Sequence, residues 1–472
     1  MALPWSVMRL GRSDGAGLVR SSLARWRSGG WIVIVATRIV GAIALVALIP
    51  PVGIDRVDLL GEYPHDDIPA MSFGLLNQGK LAMVHGEGSW PAPRRIYYQE
   101  MDIDGVLSSV VVVERVGSIA DALLIVDSSF EPHVLVDSMI YDGGHRRQVL
   151  EYERDGDDWT STVAFDSTDS NAMLVAAAVG SDDTMHAIMC YRSEARFHHA
   201  WRNSGAWQWE EISQGADERH VGKIALAVDA SGGLHIVYDV ANEGANPPFR
   251  PELRYLRNLG AGWQREVVLP QANTALSLHV DPSILIASDN APFVASTFGE
   301  TAGSGSLLYS ELRLSQRSPT GNWSSETVAD QSDGFAAGDG SQFTGWRPQL
   351  LVGQEGMRQI LFSDMACWHE PSSQYCQRGQ VRLAVESGAG WNLQTLYPQT
   401  VRTQSYLDRM RLEKAINAPE VGRLFVVFLE GDPNNLAWSG SFSRLRAHVV
   451  GDRVFEDGFE SGDTTSWSES VN

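Results

Sequence analysis

"SGGLHIVYDV", residues 231–240, sets a turn, then a histidine, then an alternating apolar run that closes on Asp239. Two similar stretches precede it, "FEPHVLVDS" at 130–138 and "DTMHAIMCY" at 183–191. A histidine at the mouth of a short strand thus returns about every fifty residues, and such a period has two readings. Either His133, His186 and His235 are three ligands of one site, or they are one structural position seen three times.

Working outward favours repetition. The strand recurs as "KLAMVHG" (80–86), "APFVAST" (291–297), "MRQILFS" (357–363) and "RLFVVFL" (423–429). An apolar strand ending in a turn precedes most copies, as in "KIALAVDASGG", and a third strand follows, as in "LRYLRN". A Gly- or Asp-rich turn then delivers a tryptophan, at Trp159, Trp207, Trp263, Trp323 and Trp391, and a fourth strand runs on from it, as in "WQREVVL". Four short strands per unit, in about seven units of roughly 45–65 residues, is the pattern of a β-propeller. The expected fold is all-β, a propeller of seven four-stranded blades, with six or eight as alternatives. One blade cannot bury both faces, but neighbours in a closed ring cover both. In this arrangement the five tryptophans are structural, each covering a blade's apolar face. The three histidines sit on second strands, set back from the central channel and far apart around it. They are therefore expected to be packing or hydrogen-bonding residues, with no metal.

Composition agrees with this class. The chain has 472 residues, of which 20% are charged and 45 are glycine, and no long apolar pattern at helical spacing appears beyond residue 50. Acids outnumber bases 58 to 37, for a formal net charge of −21. Such a body repels phosphate backbones, so nucleic acid is not an expected partner.

The N-terminus differs. Residues 1–30 carry Arg9, Arg12, Arg20, Arg25 and Arg27 against the single acid Asp14, and an apolar run interrupted only by Arg38 follows. A basic flank before an apolar stretch is the layout of a signal peptide. The span 31–49 could alternatively anchor the chain in a membrane, near the short limit for crossing one. Residues 1–50 are thus assigned to export or anchoring, 51–66 to a linker or closing edge strand, 67–451 to the propeller, and 452–472 to an acidic tail. The expected location is periplasmic, cell-surface or extracellular. In that compartment Cys367 and Cys376 are a candidate disulfide, while Cys190 reads as a buried thiol. The acid-rich turns "RDGDDW" and "GSDDT" offer oxygen ligands for calcium, but Asp and Gly at tight turns need no ion to explain them, and no cofactor is expected.

The "DASGGLHIVYD" strand–turn–strand and the "GAGW" turn resemble the blades of the sialidase-like propellers, the group that includes bacterial neuraminidase repeat proteins. The resemblance covers about residues 65–450 and implies architecture. The group's Ser-x-Asp-x-Gly-x-x-Trp box is not intact; "YERDGDDW" at 152–159 keeps only the Asp-Gly turn and the Trp. The arginine triad, Tyr/Glu nucleophile pair and acid that the resemblance would imply are not placed, although "PRRIYY" at 93–98 is similar to the first arginine motif. The tail "VFEDGFESGDTTSWS" (454–468) resembles the short tails of various exported bacterial proteins.

Binding residues are expected on loops that join strands two and three, or one blade to the next, on one face of the ring. The candidate stretches are 215–222, 241–252, 338–349, 364–379 and 400–410, which offer His220, Trp346, Asp364, Trp368, His369, Glu370, Tyr406, Asp408 and Arg409. Aromatic rings beside carboxylates suit a sugar; the same set with arginine suits a peptide. Glu370 and Asp408 would be the acid pair of a hydrolase, given a suitable separation. The primary expectation is a non-catalytic recognition protein for a glycan or protein ligand. The alternatives are a sialidase-like glycoside hydrolase and a structural propeller without a small ligand.

Overall fold

The computed structural model describes residues 32–36, 45–49 and, between 56 and 450, mainly strands and tight turns. The chain divides into two units, Met1–Val52 and Gly53–Asn472. In the first, β1 (Ile32–Ala36) pairs antiparallel with β2 (Leu45–Ile49). Among the described residues no helix is long and apolar enough to cross a membrane.

The second unit opens with β3 (Arg56–Pro64). Sheet one then holds β4 (Met71–Leu75), β5 (Leu81–Glu87), β6 (Arg94–Met101) and β7 (Leu107–Arg115). Sheet two holds β8 (Ser118–Val126), β9 (Pro132–Ile140), β10 (Arg146–Asp155) and β11 (Asp158–Ser167). Sheet three holds β12 (Ala172–Val179), β13 (Met185–Tyr191), β14 (Arg196–Arg202) and β15 (Gln208–Ile212). Sheet four holds β16 (Glu218–Val228), β17 (Leu234–Asn242), β18 (Pro251–Asn258) and β19 (Trp263–Leu269). Sheet five holds β20 (Ser277–Ile286), β21 (Pro292–Thr301), β22 (Leu307–Arg317) and β23 (Trp323–Asp330). Sheet six holds β24 (Ser341–Val352), β25 (Arg358–Glu370), β26 (Ser373–Ser387) and β27 (Gly390–Gln399). Sheet seven holds β28 (Met410–Ala418), β29 (Arg423–Gly431) and β30 (Phe442–Val450), and its fourth strand is β3, which pairs antiparallel with β30.

Each sheet is antiparallel, the first six are meanders, and the first strands touch in a cycle: β4 to β8, β12, β16, β20, β24, β28 and back to β4. Those strands surround the axis of a β-propeller. The core lies between neighbouring sheets. Sheets three and four, for example, bury Ile188, Phe197, Ile236 and Tyr238 together. The ring closes through Phe425 and Val427 of sheet seven against Phe73, Leu81 and Met83 of sheet one.

The opening stretch explains the local geometry. In "DASGG" the Asp229 carboxylate accepts the Ser231 and Gly233 N–H groups at 2.8 and 2.7 Å, an Asx turn that links β16 to β17. Gly232 takes φ +83°, which a side chain would resist. Asp127 repeats the device, accepting the Ser129 and Glu131 N–H groups. Two sequence expectations change here. The stretch 364–379, read as a loop, is most of a long hairpin formed by β25 and β26. Similarly, 218–222 and 341–349, read as junctions, belong to β16 and β24.

Candidate functional site

Each sheet has two ends. At one, in sheets two to six, short connections join strands one to two and three to four; there the repeated histidines and tryptophans lie. His235 bonds Asp229 at 3.0 Å and the Tyr255 hydroxyl at 2.5 Å. His186 shares a hydrogen bond of 3.0 Å with His199, which faces Glu210 at 3.3 Å. His133 bonds Glu151 at 3.0 Å. All three find their partners within their own sheets, so they are one structural position and not one site. Burial holds His186 down to about 4, with the His199 charge adding to the effect.

The tryptophans extend this pattern between sheets. The indole N–H of Trp207 donates to Glu151 at 2.7 Å, Trp263 to Glu210 at 2.9 Å, Trp323 to Glu266 at 3.0 Å and Trp391 to Glu326 at 3.2 Å. Every acceptor belongs to the preceding sheet. Trp159 packs edge-on against Tyr98 of sheet one at 5.2 Å. Sequence reading found the tryptophans but missed their acceptors, although Trp-x-x-Glu at 207–210, 263–266 and 323–326 supplies three of the four.

His133, Glu151 and Glu153 come close enough to hold a metal ion. Their oxygens are already engaged: Arg202 pairs with both glutamates, and Glu151 also accepts from Trp207 and the Thr162 hydroxyl. A cation would have to displace the Arg202 guanidinium.

The other end carries the connections between strands two and three and between sheets. Of the residues expected there, Asp364 lies within β25 and is 1% exposed. It accepts from Arg382 at 3.0 Å, from Gln380 at 3.2 Å and from the Gly345 N–H at 3.3 Å. Its place is a buried ion pair, not an exposed loop. Trp346 is half-buried in β24. His220 lies in β16 opposite Ala241, and Trp368, His369 and Glu370 lie opposite Tyr375, Gln374 and Ser373; their side chains are outside the described residues. Tyr406, Asp408 and Arg409 are outside them entirely. Cys367 and Cys376 stand directly opposite each other in the β25–β26 register, and Cys190 is a buried thiol outside any disulfide.

A second feature at this end was not anticipated. Most first strands carry a bulge near their start. In β20 Asp281 and Pro282 together face Ser296, in β24 Arg347 and Pro348 face Phe362, and in β16 Gly222 and Lys223 face Asp239, one extra residue in each case. Asp281 and Arg347 sit at φ +52° and +51°. Side chains resist that left-handed region, and such strain clusters at functional sites. Lys223, Asp281 and Arg347 therefore occupy the same level, to within a residue, on three consecutive strands around the axis. Behind them is Asp239, 9% exposed, which accepts the Lys223 N–H at 2.5 Å. Burial, reinforced by the nearby Asp281 charge, pushes its carboxyl up to about 6, although the Lys223 N–H bond opposes this. Two other acids, at this level or one residue beyond, have arginine partners: Asp137 with Arg147 at 2.6 Å and Asp364 with Arg382. Among the described residues Asp239 has no guanidinium partner. The recurrence of Asp-Pro and Arg-Pro at matching repeat positions is the sequence signal that could have found this collar.

No protein-family model and no curated protein matches the chain. Solved structures with a similar course include polysaccharide lyase Uly1, at 9% identity and a TM-score of 0.47, covering 84% of this chain and 100% of that one. An α-L-arabinanase of Penicillium chrysogenum complexed with arabinobiose has 12% identity and a TM-score of 0.45, covering 85% and 99%. A mutant of NanB sialidase from Streptococcus pneumoniae has 12% identity and a TM-score of 0.38, covering 86% and 71%.

Proposed function

We propose that this chain is an exported, seven-bladed propeller that hydrolyses a glycosidic bond at the mouth of its axis, with Asp239 as proton donor. Asp239 carries the reading. Cleaving a glycosidic bond near neutral pH needs a carboxyl held protonated above its ordinary range, beside a second carboxylate. Asp239 is pushed up to about 6, and Asp281 is the neighbouring acid. Trp346 offers a ring face for the apolar side of a sugar, while Lys223 and Arg347 offer donors to hydroxyls or to a sugar carboxylate. The cyclic order of sheets supports the blade count, and the basic flank with its apolar run supports export.

The test is turnover of neutral and uronic aryl-glycosides by the full chain between about pH 5 and pH 7. Activity should fall at least a hundredfold in Asp239→Asn and in Asp281→Asn, with substrate binding retained. No turnover on any member of the panel defeats the hydrolase reading. A second reading, recognition without turnover, is favoured by the 9% exposure of Asp239, which leaves little room for a scissile oxygen. Binding of the same glycosides without hydrolysis identifies it.

A further inference from the structure

The clasp between sheets five and six differs from the others. Glu151 receives Trp207, His133, Thr162 and Arg202. Glu210 receives Trp263 and His199, and Glu266 receives Trp323 and the Arg317 fork at 2.6 and 2.8 Å. Glu326 receives the Trp391 indole alone among the described residues. Two substitutions within the repeat account for this. The strand-three residue opposite Glu326 is Leu314, where sheets two, three and four place Glu151, His199 and Tyr255 opposite their fourth strands. The residue opposite Trp391 is Glu386, whereas Arg317 stands opposite Trp323 and reaches across to Glu266. Glu386 is held in its own sheet by Arg358, which lies over the Phe293 ring. Between Glu326, Glu386 and Trp391 a cavity of about 320 Å³ opens.

We propose that this groove binds a guanidinium group, such as an arginine side chain of a partner protein. The repeat itself argues for the ligand: Arg317 beside Trp323 already shows a guanidinium forked onto the matching carboxylate of the preceding sheet. Two carboxylates against the single Arg358 leave the groove net negative, which disfavours anions. A planar guanidinium pairs with a carboxylate through two parallel bonds and stacks on an indole face, which a compact ammonium does less well. The chain's net charge of −21 would draw a basic partner toward it.

The experiment is titration of the full-length chain with free arginine, lysine and a blocked Gly-Arg-Gly peptide, following the Trp391 indole N–H resonance by NMR. Arginine and the peptide should shift it saturably. The affinity should fall at least tenfold in Glu326→Gln and in the charge swap Arg358→Glu with Glu386→Arg, which rebuilds the internal arginine. Asp281→Asn should bind as the parent does, which separates this groove from the axial site. Tighter binding of the peptide than of the free amino acid assigns the source as a protein; the reverse assigns a free guanidino compound. No shift with arginine, an equal affinity for lysine, or undiminished binding in Glu326→Gln overturns the proposal.

Discussion

Replacing His186 by glutamine tests whether the repeated histidine is a structural position. The chain carries glutamine at the matching place in sheet six, Gln359, so the change has an internal precedent. His186 is 7% exposed, and burial lowers it from 6.5 to about 4. A histidine whose folded pKa is depressed binds protons better in the unfolded chain. Stability is therefore fully present above pH 6.5 and is lost as pH falls through 6.5 toward 4. At about pH 4.5 the unfolded side chain is almost fully protonated and the folded one about a quarter so. The loss relative to pH 7 works out at about 2 kcal/mol. Urea denaturation at both pH values, followed by tryptophan fluorescence, measures it. His186→Gln should cost about 1 kcal/mol at pH 7, from the lost bond to His199. On acidification it should then lose about 2 kcal/mol less than the parent. An identical acid loss in parent and variant would refute the claim that His186 is held neutral by burial.

Other perturbations probe the clasps and the bulges. Glu266→Gln should destabilise the fold by about 2 kcal/mol, since it weakens bonds from both Arg317 and Trp323. Combined with Trp323→Phe, the loss in thermal unfolding should be less than additive. Arg382→Met should cost about 3–5 kcal/mol by stranding the buried Asp364 charge, and adding Asp364→Asn should recover part of that in the same assay. Gly345→Ala should cost about 2–4 kcal/mol, because a Cβ there would meet the Leu312 Cα at 2.8 Å with φ at +83°. If Cys367 and Cys376 are joined, thiol titration of the oxidised, denatured chain should count one thiol, Cys190, of the three cysteines; three would exclude the bond.

The repeat was legible because turns and large aromatics have positional chemistry. Turn residues rich in glycine and aspartate, and a tryptophan at or just before the outer strand, leave the same mark in five of the seven units. The opposite ends of the strands left a fainter one, the Asp-Pro and Arg-Pro of two first strands. Residues 364–379 are polar and contain Pro371, so they read as a loop, yet 364–370 and 373–379 pair as the two arms of a hairpin whose sequence carries no apolar alternation. Asp364 read as a surface acid because its partner Arg382 lies 18 residues away, on a strand that only pairing brings beside it. Pro348 lies in the stretch 338–349 that read as a junction, but in a sheet proline also marks a bulge, as Pro282 and Pro348 do, where its missing N–H breaks no ladder bond.

At the turn end the polar network differs at two places together in sheet five, whereas sheet six keeps Gln359 with Leu383 as its strand-three residue. His133 faces Glu151, His186 faces His199 and His235 faces Tyr255, while in sheet five the same two places hold Phe293 and Leu314. A buried polar group without its partner costs more than an apolar pair of similar size. Losing the strand-two histidine alone would strand the strand-three residue, and the reverse would strand the histidine. Sheet five changed both and kept only Glu326, whose exposed carboxylate can remain solvated. A groove could open there at little cost to the ring, because the apolar pair beneath it still packs against sheet six through Leu350, Ile360 and Phe362.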